Sequence, residues 1–164
     1  MNRIIITAIG KDRSGLVNKI TSIINNNNGN IENSKMIKID DQFAIIINFS
    51  VLGDISNIEA ELTDIKKLSF FCKRAGEGHV NKKVNKNYLI KGADDQGIID
   101  RISNYFKNKN INITEMETFI ESAPITGAPL FNMSINIEIN ESDLEKIKYD
   151  LSDICKNLNL DLFN

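Results

Sequence analysis

The sequence predicts an α+β protein built from two tandem βαββαβ units, each an antiparallel four-stranded sheet with both helices on one face. Three observations predict it. One pattern occurs twice: Gly10, Asp12, Gly15, Leu16, Val17, Ile20, Ile23 and Ile24 match Gly92, Asp94, Gly97, Ile98, Ile99, Ile102, Tyr105 and Phe106. The match closes on Asn30-Ile31 and Asn112-Ile113. Apolar segments of period two and of helical period then alternate in the same order in both halves. Finally, 164 residues suffice for two small domains, and two copies are too few for a solenoid. The expected organisation is a first domain at 1–75, a linker at 76–87 and a second domain at 88–164. Units of this size are only modestly stable alone, so packing against each other or another chain is expected.

Each element follows from its residues. Arg3 to Ile9 is rich in β-branched residues and predicts a strand. Asp12-Arg13-Ser14-Gly15 is a turn and helix start, with Asp12 or Ser14 the expected N-cap. Leu16, Val17, Ile20, Ile23 and Ile24 form one apolar helix stripe, which stops at Asn25–Asn28 and Gly29. Ile31 to Ile39 and Phe43 to Val51 predict a hairpin across Asp40-Asp41, with Phe43, Ile45, Ile47, Phe49 and Val51 facing inward. Ile58, Leu62 and Ile65 mark a second helix, and Leu68 to Arg74 a closing strand. Gly76 to Asn87 is polar and predicts the linker.

The second half repeats the order. Tyr88–Ala93, Ile113–Glu121 and Leu130–Ile139 are expected strands, and Gln96–Lys109 a helix. A helix bearing Leu144, Ile147, Leu151 and Ile154 follows, then a short strand near Leu160–Phe163. The arrangement is the split βαβ, or ferredoxin-like, one, with right-handed crossovers. Between the middle strands the second half carries a longer loop, Ser122 to Pro129, holding both prolines of the chain. A proline-stiffened hairpin tip is a candidate contact surface.

Composition excludes several classes. Apolar residues at 41% and charged ones at 26% give an ordinary globular balance. A formal net charge of −2 argues against non-specific nucleic-acid binding. The one basic cluster, Lys82, Lys83 and Lys86, reads as part of a solvated tether. No stretch approaches the roughly 18 apolar residues of a membrane span, and no signal peptide is visible at the first residues. Cys72 and Cys155 lie in different halves and read as small apolar residues, not a bridge or metal site. No cofactor is expected. His79, the single histidine, stands in the linker without a catalytic partner, and helix capping accounts for Asp12 and Asp94. The chain is therefore not expected to be an enzyme.

The turns remain. Gly15 and Gly97 allow close approach at a helix start, where unpaired N–H groups favour a carboxylate. Asn30-Ile31 and Asn112-Ile113, opening the next strands, are expected nearby, offering polar groups to an ammonium. A small zwitterion fits such a place.

Strand, Asp-x-x-Gly, two aliphatic residues, helix and Asn-Ile together resemble the ACT domain, a module that binds amino acids. The resemblance covers nearly the whole chain. Ile6-Thr7-Ala8-Ile9-Gly10-Lys11-Asp12-Arg13-Ser14-Gly15-Leu16-Val17 and Thr126-Gly127-Ala128-Pro129-Leu130-Phe131 resemble the glycine cleavage system transcriptional repressor family. That resemblance implies a cytoplasmic sensor of glycine or a similar small amino acid, repressing through a DNA-binding activator and not by reading DNA itself. The ligand-site residues it implies are Asp12, Gly15, Leu16, Asn30 and Ile31, with Asp94, Gly97, Ile98, Asn112 and Ile113. Ser14 stands where related domains often carry proline, and Asp94-Asp95 puts two carboxylates in the second loop. Adjacent carboxylates disfavour an anionic group, so the first loop is the expected site if only one binds. Edge strands that need covering predict a homodimer or side-by-side sheets. The alternative is a stand-alone allosteric or interaction subunit of a metabolic enzyme, with or without a ligand.

Overall fold

In the computed structural model, which describes residues 1–76 and 83–163, the chain divides into two units, Met1–His79 and Val80–Asn164. The first unit runs β1 (Asn2–Lys11), α1 (Leu16–Asn26), β2 (Asn30–Ile39), β3 (Gln42–Val51), α2 (Ser56–Thr63) and β4 (Leu68–Arg74). Its sheet is antiparallel in the order β2-β3-β1-β4. The alternation read from the sequence is the cause: Ile4, Ile6 and Ala8 of β1 and Phe43, Ile45, Ile47, Phe49 and Val51 of β3 all bury one face. Against them lie Leu16, Ile20, Ile23 and Ile24 of α1 and Ile58 and Leu62 of α2. Each fully buried isoleucine contributes about 1.5–3 kcal/mol over an exposed one, so this single face holds the unit together. Ile65 is buried as expected, although α2 ends at Thr63 and leaves it in the following turn.

The second unit runs β5 (Val84–Ala93), α3 (Ile98–Asn108), β6 (Asn112–Ser122), β7 (Pro129–Ile139), α4 (Leu144–Asn157) and β8 (Leu160–Phe163), with a 3₁₀ turn at Glu141–Asp143 before α4. Its order, β6-β7-β5-β8, matches the first. Tandem ferredoxin-like α+β units are thus the observed fold. Even an irregularity is repeated: the edge strand slips register between Ile31 and Asn33, and again between Ile113 and Glu115.

Three local expectations need correction. β5 opens at Val84, so part of the segment read as linker is strand. Lys86 holds a half-buried inward position there and hides the alternation, its ammonium 6.0 Å from the Tyr88 ring centre. On α4 it is Cys155, not Ile154, that is buried with Ile147 and Leu151. The third concerns the helix starts. Gly15 and Gly97 are themselves the N-caps of α1 and α3, at φ 83° and 82°, and no side chain caps either helix. Asp12 and Ser14 do not cap. His79 and Lys82, named in the sequence reading, lie outside the described residues.

Gly10 and Gly92 have a different task. A Cβ on Gly92 would stand 2.7 Å from the Asn159 carbonyl oxygen and 3.0 Å from Leu160 Cα, and one on Gly10 would collide with the Lys67 carbonyl oxygen. These glycines let the turn before the last strand lie against the first strand. Gly15 and Gly97 face open space.

Candidate functional site

The loop after the first strand of each unit is held in place by backbone. The Asp12 N–H donates to the Asp41 carbonyl at 2.8 Å, tying the loop to the β2–β3 turn, and the Asp94 N–H donates to the Pro129 carbonyl at 3.3 Å. Left-handed glycines then swing the chain into α1 and α3. The first-turn N–H groups of each helix lack partners four residues back, so both loops end on a positive helix terminus.

From this common frame the two loops diverge. In the first, the Lys38 ammonium reaches Asp12 at 2.7 Å. That hydrogen bond, then the charge of Asp12, holds the Lys38 amine above its usual range. Lys38 stands on β2 opposite Phe43, which stands opposite Gly10. Arg13 turns the other way and donates to the Lys66 carbonyl at 3.1 Å. A shallow cleft of about 310 Å³ lies on that side, lined by Arg13, Ser14, Gly15, Leu16, Lys19, Asp64 and Lys66.

In the second unit the rung of Lys38 carries Ile120, opposite Phe131 and Gly92. The gap between loop and edge strand is a cleft of about 710 Å³. Its lining includes Asp94, Asp95 and Asp100 with Ile98, Ile99, Phe119, Ile120 and Phe131. Gly97, Ser103 and Thr118 complete it, and no lysine or arginine takes part. Asp95 is engaged locally, accepting from the Gln96 N–H at 2.7 Å.

The structure therefore brings Gly15 and Leu16 to one cleft and Asp94, Gly97 and Ile98 to another, while Asp12 faces Lys38. It does not bring the Asn-Ile pairs to the loops. Asn30 is level with Ser50 and Arg3, seven rungs below Gly10, and Asn112 is level with Glu138 and Asn85. At ~3.4 Å per residue that is about 24 Å along the sheet. The reason is direction: the strand after each helix starts where the first strand starts, at the far end of the helix. Asn30 and Ile31 border a separate cleft of about 390 Å³ with Thr21, Ser22, Asn25 and Gly29. The side chains the sequence reading missed, Lys38, Thr118, Phe119, Ile120 and Phe131, sit on the later rungs. Counting pairs outward from the hairpin turns locates them.

The long loop of the second unit is ordered by its own bonds. Ala123 N–H donates to the Ala128 carbonyl at 2.8 Å, and Gly127 N–H to the Ala123 carbonyl at 2.9 Å. Thr126 Oγ1 accepts from the Ala128 N–H at 3.3 Å. Ile125, at the tip, is 97% exposed. Among the described residues no helix is long and apolar enough to cross a membrane, and no group of three His, Cys, Asp or Glu is placed to hold a metal ion.

Residues 2–76 match the model of a family described as ACT domain. A UPF0237 protein of Methanocaldococcus jannaschii is 36% identical over 77 residues, which cover 47% of this chain and 78% of that protein. The glycine cleavage system transcriptional repressor of Escherichia coli is 25% identical over 162 residues, covering 95% of this chain and 85% of its own. Among solved structures, an unknown protein from Galdieria sulphuraria superposes with a TM-score of 0.88 at 24% identity, over 99% of this chain and 96% of that one.

Proposed function

The chain belongs to the ACT-domain family, and from that premise we propose that it is an amino-acid-sensing regulator that represses glycine-cleavage genes. It acts by contact with a DNA-binding activator, in the cytoplasm and as a homodimer, and does not read DNA itself. The effector is a small amino acid, glycine or a relative. The similarity to the Escherichia coli repressor along 95% of the chain supports the repressor reading. A net charge of −2 agrees with a protein partner in place of nucleic acid.

The observation that carries the sensing role is the open cleft beside the β5–α3 loop, where a carboxylate, apolar side chains and a positive helix terminus converge. A zwitterion uses all three: ammonium on carboxylate, side chain on apolar wall, carboxylate at the helix start. Asp94, Gly97 and Ile98 are the proposed ligand residues of the second unit, and Asp12, Gly15 and Leu16 their counterparts in the first. Asn30, Ile31, Asn112 and Ile113 stand at the far sheet end, outside these two clefts. Effector binding shifts partner affinity by linkage, and a coupling of about 1–3 kcal/mol gives a several-fold response. Affinity capture with the full chain, with and without effector, tests the role. Recovery of a DNA-binding activator whose retention changes with effector is the expected result. Recovery of a metabolic enzyme in its place would transfer the protein to the allosteric-subunit reading.

A further inference from the structure

The two loops are equivalent in backbone and opposite in chemistry. In the first unit an ammonium already sits on the loop carboxylate, supplied by Lys38 at 2.7 Å from Asp12. In the second, the equivalent rung carries Ile120, and Asp94 and Ile120 border one open cleft of about 710 Å³. The duplication thus provides an internal comparison: the same carboxylate position, once with a cation from the chain itself and once without. Of the open cleft's other walls Ile98, Ile99, Phe119 and Phe131 are apolar and Ser103 and Thr118 polar, and its charged residues are all acidic.

We propose that the first unit fills its own ammonium position with Lys38, while the second keeps that position open at Asp94 for the ammonium of an external ligand bearing an apolar group. This rests on the sensing reading above but replaces its glycine-like effector with a ligand bearing a larger apolar group. It also reverses the expectation that the first loop is the site if only one binds. Glycine leaves the apolar walls uncovered; a branched or aromatic group the size of leucine or phenylalanine buries against them, at about fourfold in affinity per buried methylene. Because Asp94, Asp95 and Asp100 all border the cleft, a net cation meets no repulsion there, whereas a ligand carboxylate is tolerated only at the α3 terminus. The shared chemistry is an ammonium on an apolar group, and its sources are a free apolar amino acid or the corresponding amine.

Calorimetry on the full chain with leucine, isoamylamine and glycine tests this. Leucine or isoamylamine, or both, should bind once per chain and more tightly than glycine, the better of the two identifying the source. Asp94→Asn should weaken binding by about tenfold or more, as expected for loss of a charge-assisted hydrogen bond. Ile120→Lys, which copies the first unit's arrangement, should abolish it while the circular dichroism spectrum and melting midpoint stay unchanged. Glycine binding that survives Ile120→Lys would overturn the inference and leave the sensing reading standing. Absence of binding by all three probes would overturn the inference as well, and the sensing reading would then rest on the other amino acids.

Discussion

Two glycines only five residues apart should respond to alanine through different physics. At Gly92 the added methyl meets Leu160 Cδ2 at 2.6 Å, the Asn159 carbonyl oxygen at 2.7 Å and Leu160 Cα at 3.0 Å. The side-chain methyl can rotate away; the two backbone atoms cannot. They belong to the turn that delivers β8, a strand held to β5 by four rungs, of which Gly92 with Leu160 is the last. Forcing that rung apart places the substitution at the upper end of the ~1–3 kcal/mol range for overpacking, about 2–3 kcal/mol. At Gly97 nothing lies within 4 Å of the added methyl, so the cost is the left-handed backbone alone, about 1 kcal/mol. With roughly 4–8 °C per kcal/mol for a domain of this size, Gly92→Ala should lower the second unit's midpoint by about 10–20 °C and Gly97→Ala by about 4–8 °C. Urea and thermal unfolding followed by circular dichroism measure both. An equal or larger loss in Gly97→Ala would refute the division between glycines that serve packing and glycines that shape the loop.

Two further outcomes follow from the same structure. Asp150 accepts from Tyr105 at 3.1 Å and pairs with Lys109 at 3.1 Å, and the Lys109 hydrogen bond above all holds its carboxyl below the usual value of 3.8. Its folded value is depressed, so its stabilisation is present above pH 3.8 and is lost as pH falls through the lower folded value. Acid titration of Asp150→Asn should show a flatter loss of stability in that window, and an unchanged profile would contradict the assignment. At the loop tip, Ile125→Asp should leave the melting midpoint within about 0.5 kcal/mol of the parent, because the side chain is 97% exposed. The same substitution should reduce retention of the protein partner, and unaltered retention would remove the loop from the contact surface.

Most of the fold was legible because both periods are clean. Phe43, Ile45, Ile47, Phe49 and Val51 alternate without a break, and α1 buries Leu16, Ile20, Ile23 and Ile24 of its expected stripe, although Val17 is exposed. The start of β5 was hidden because Lys86 fills an inward position with a charged residue, which no hydrophobic pattern reveals. The caps were misread because Asp-x-x-Gly suggests an acidic cap, whereas a left-handed glycine starts each helix and frees Asp12 for Lys38. The largest shift concerned the site. Proximity in a motif does not survive a helix: Asn30 follows Gly15 closely in sequence, yet α1 carries it to the opposite end of the sheet. The residues that distinguish the two loops, Lys38 and Ile120, carry no motif at all. Only the pairing of the edge strands puts them beside the loops.

The central claim is that this chain senses an amino acid, and a thermal-shift titration of the full chain with each of the twenty tests it most directly. Selective binding to the folded state should raise the midpoint with ligand concentration, reaching about 2.7 kcal/mol of added stability at a hundredfold excess over Kd. At least one apolar amino acid should do so, and its effect should vanish in Ile120→Lys. Twenty flat titrations would contradict the claim.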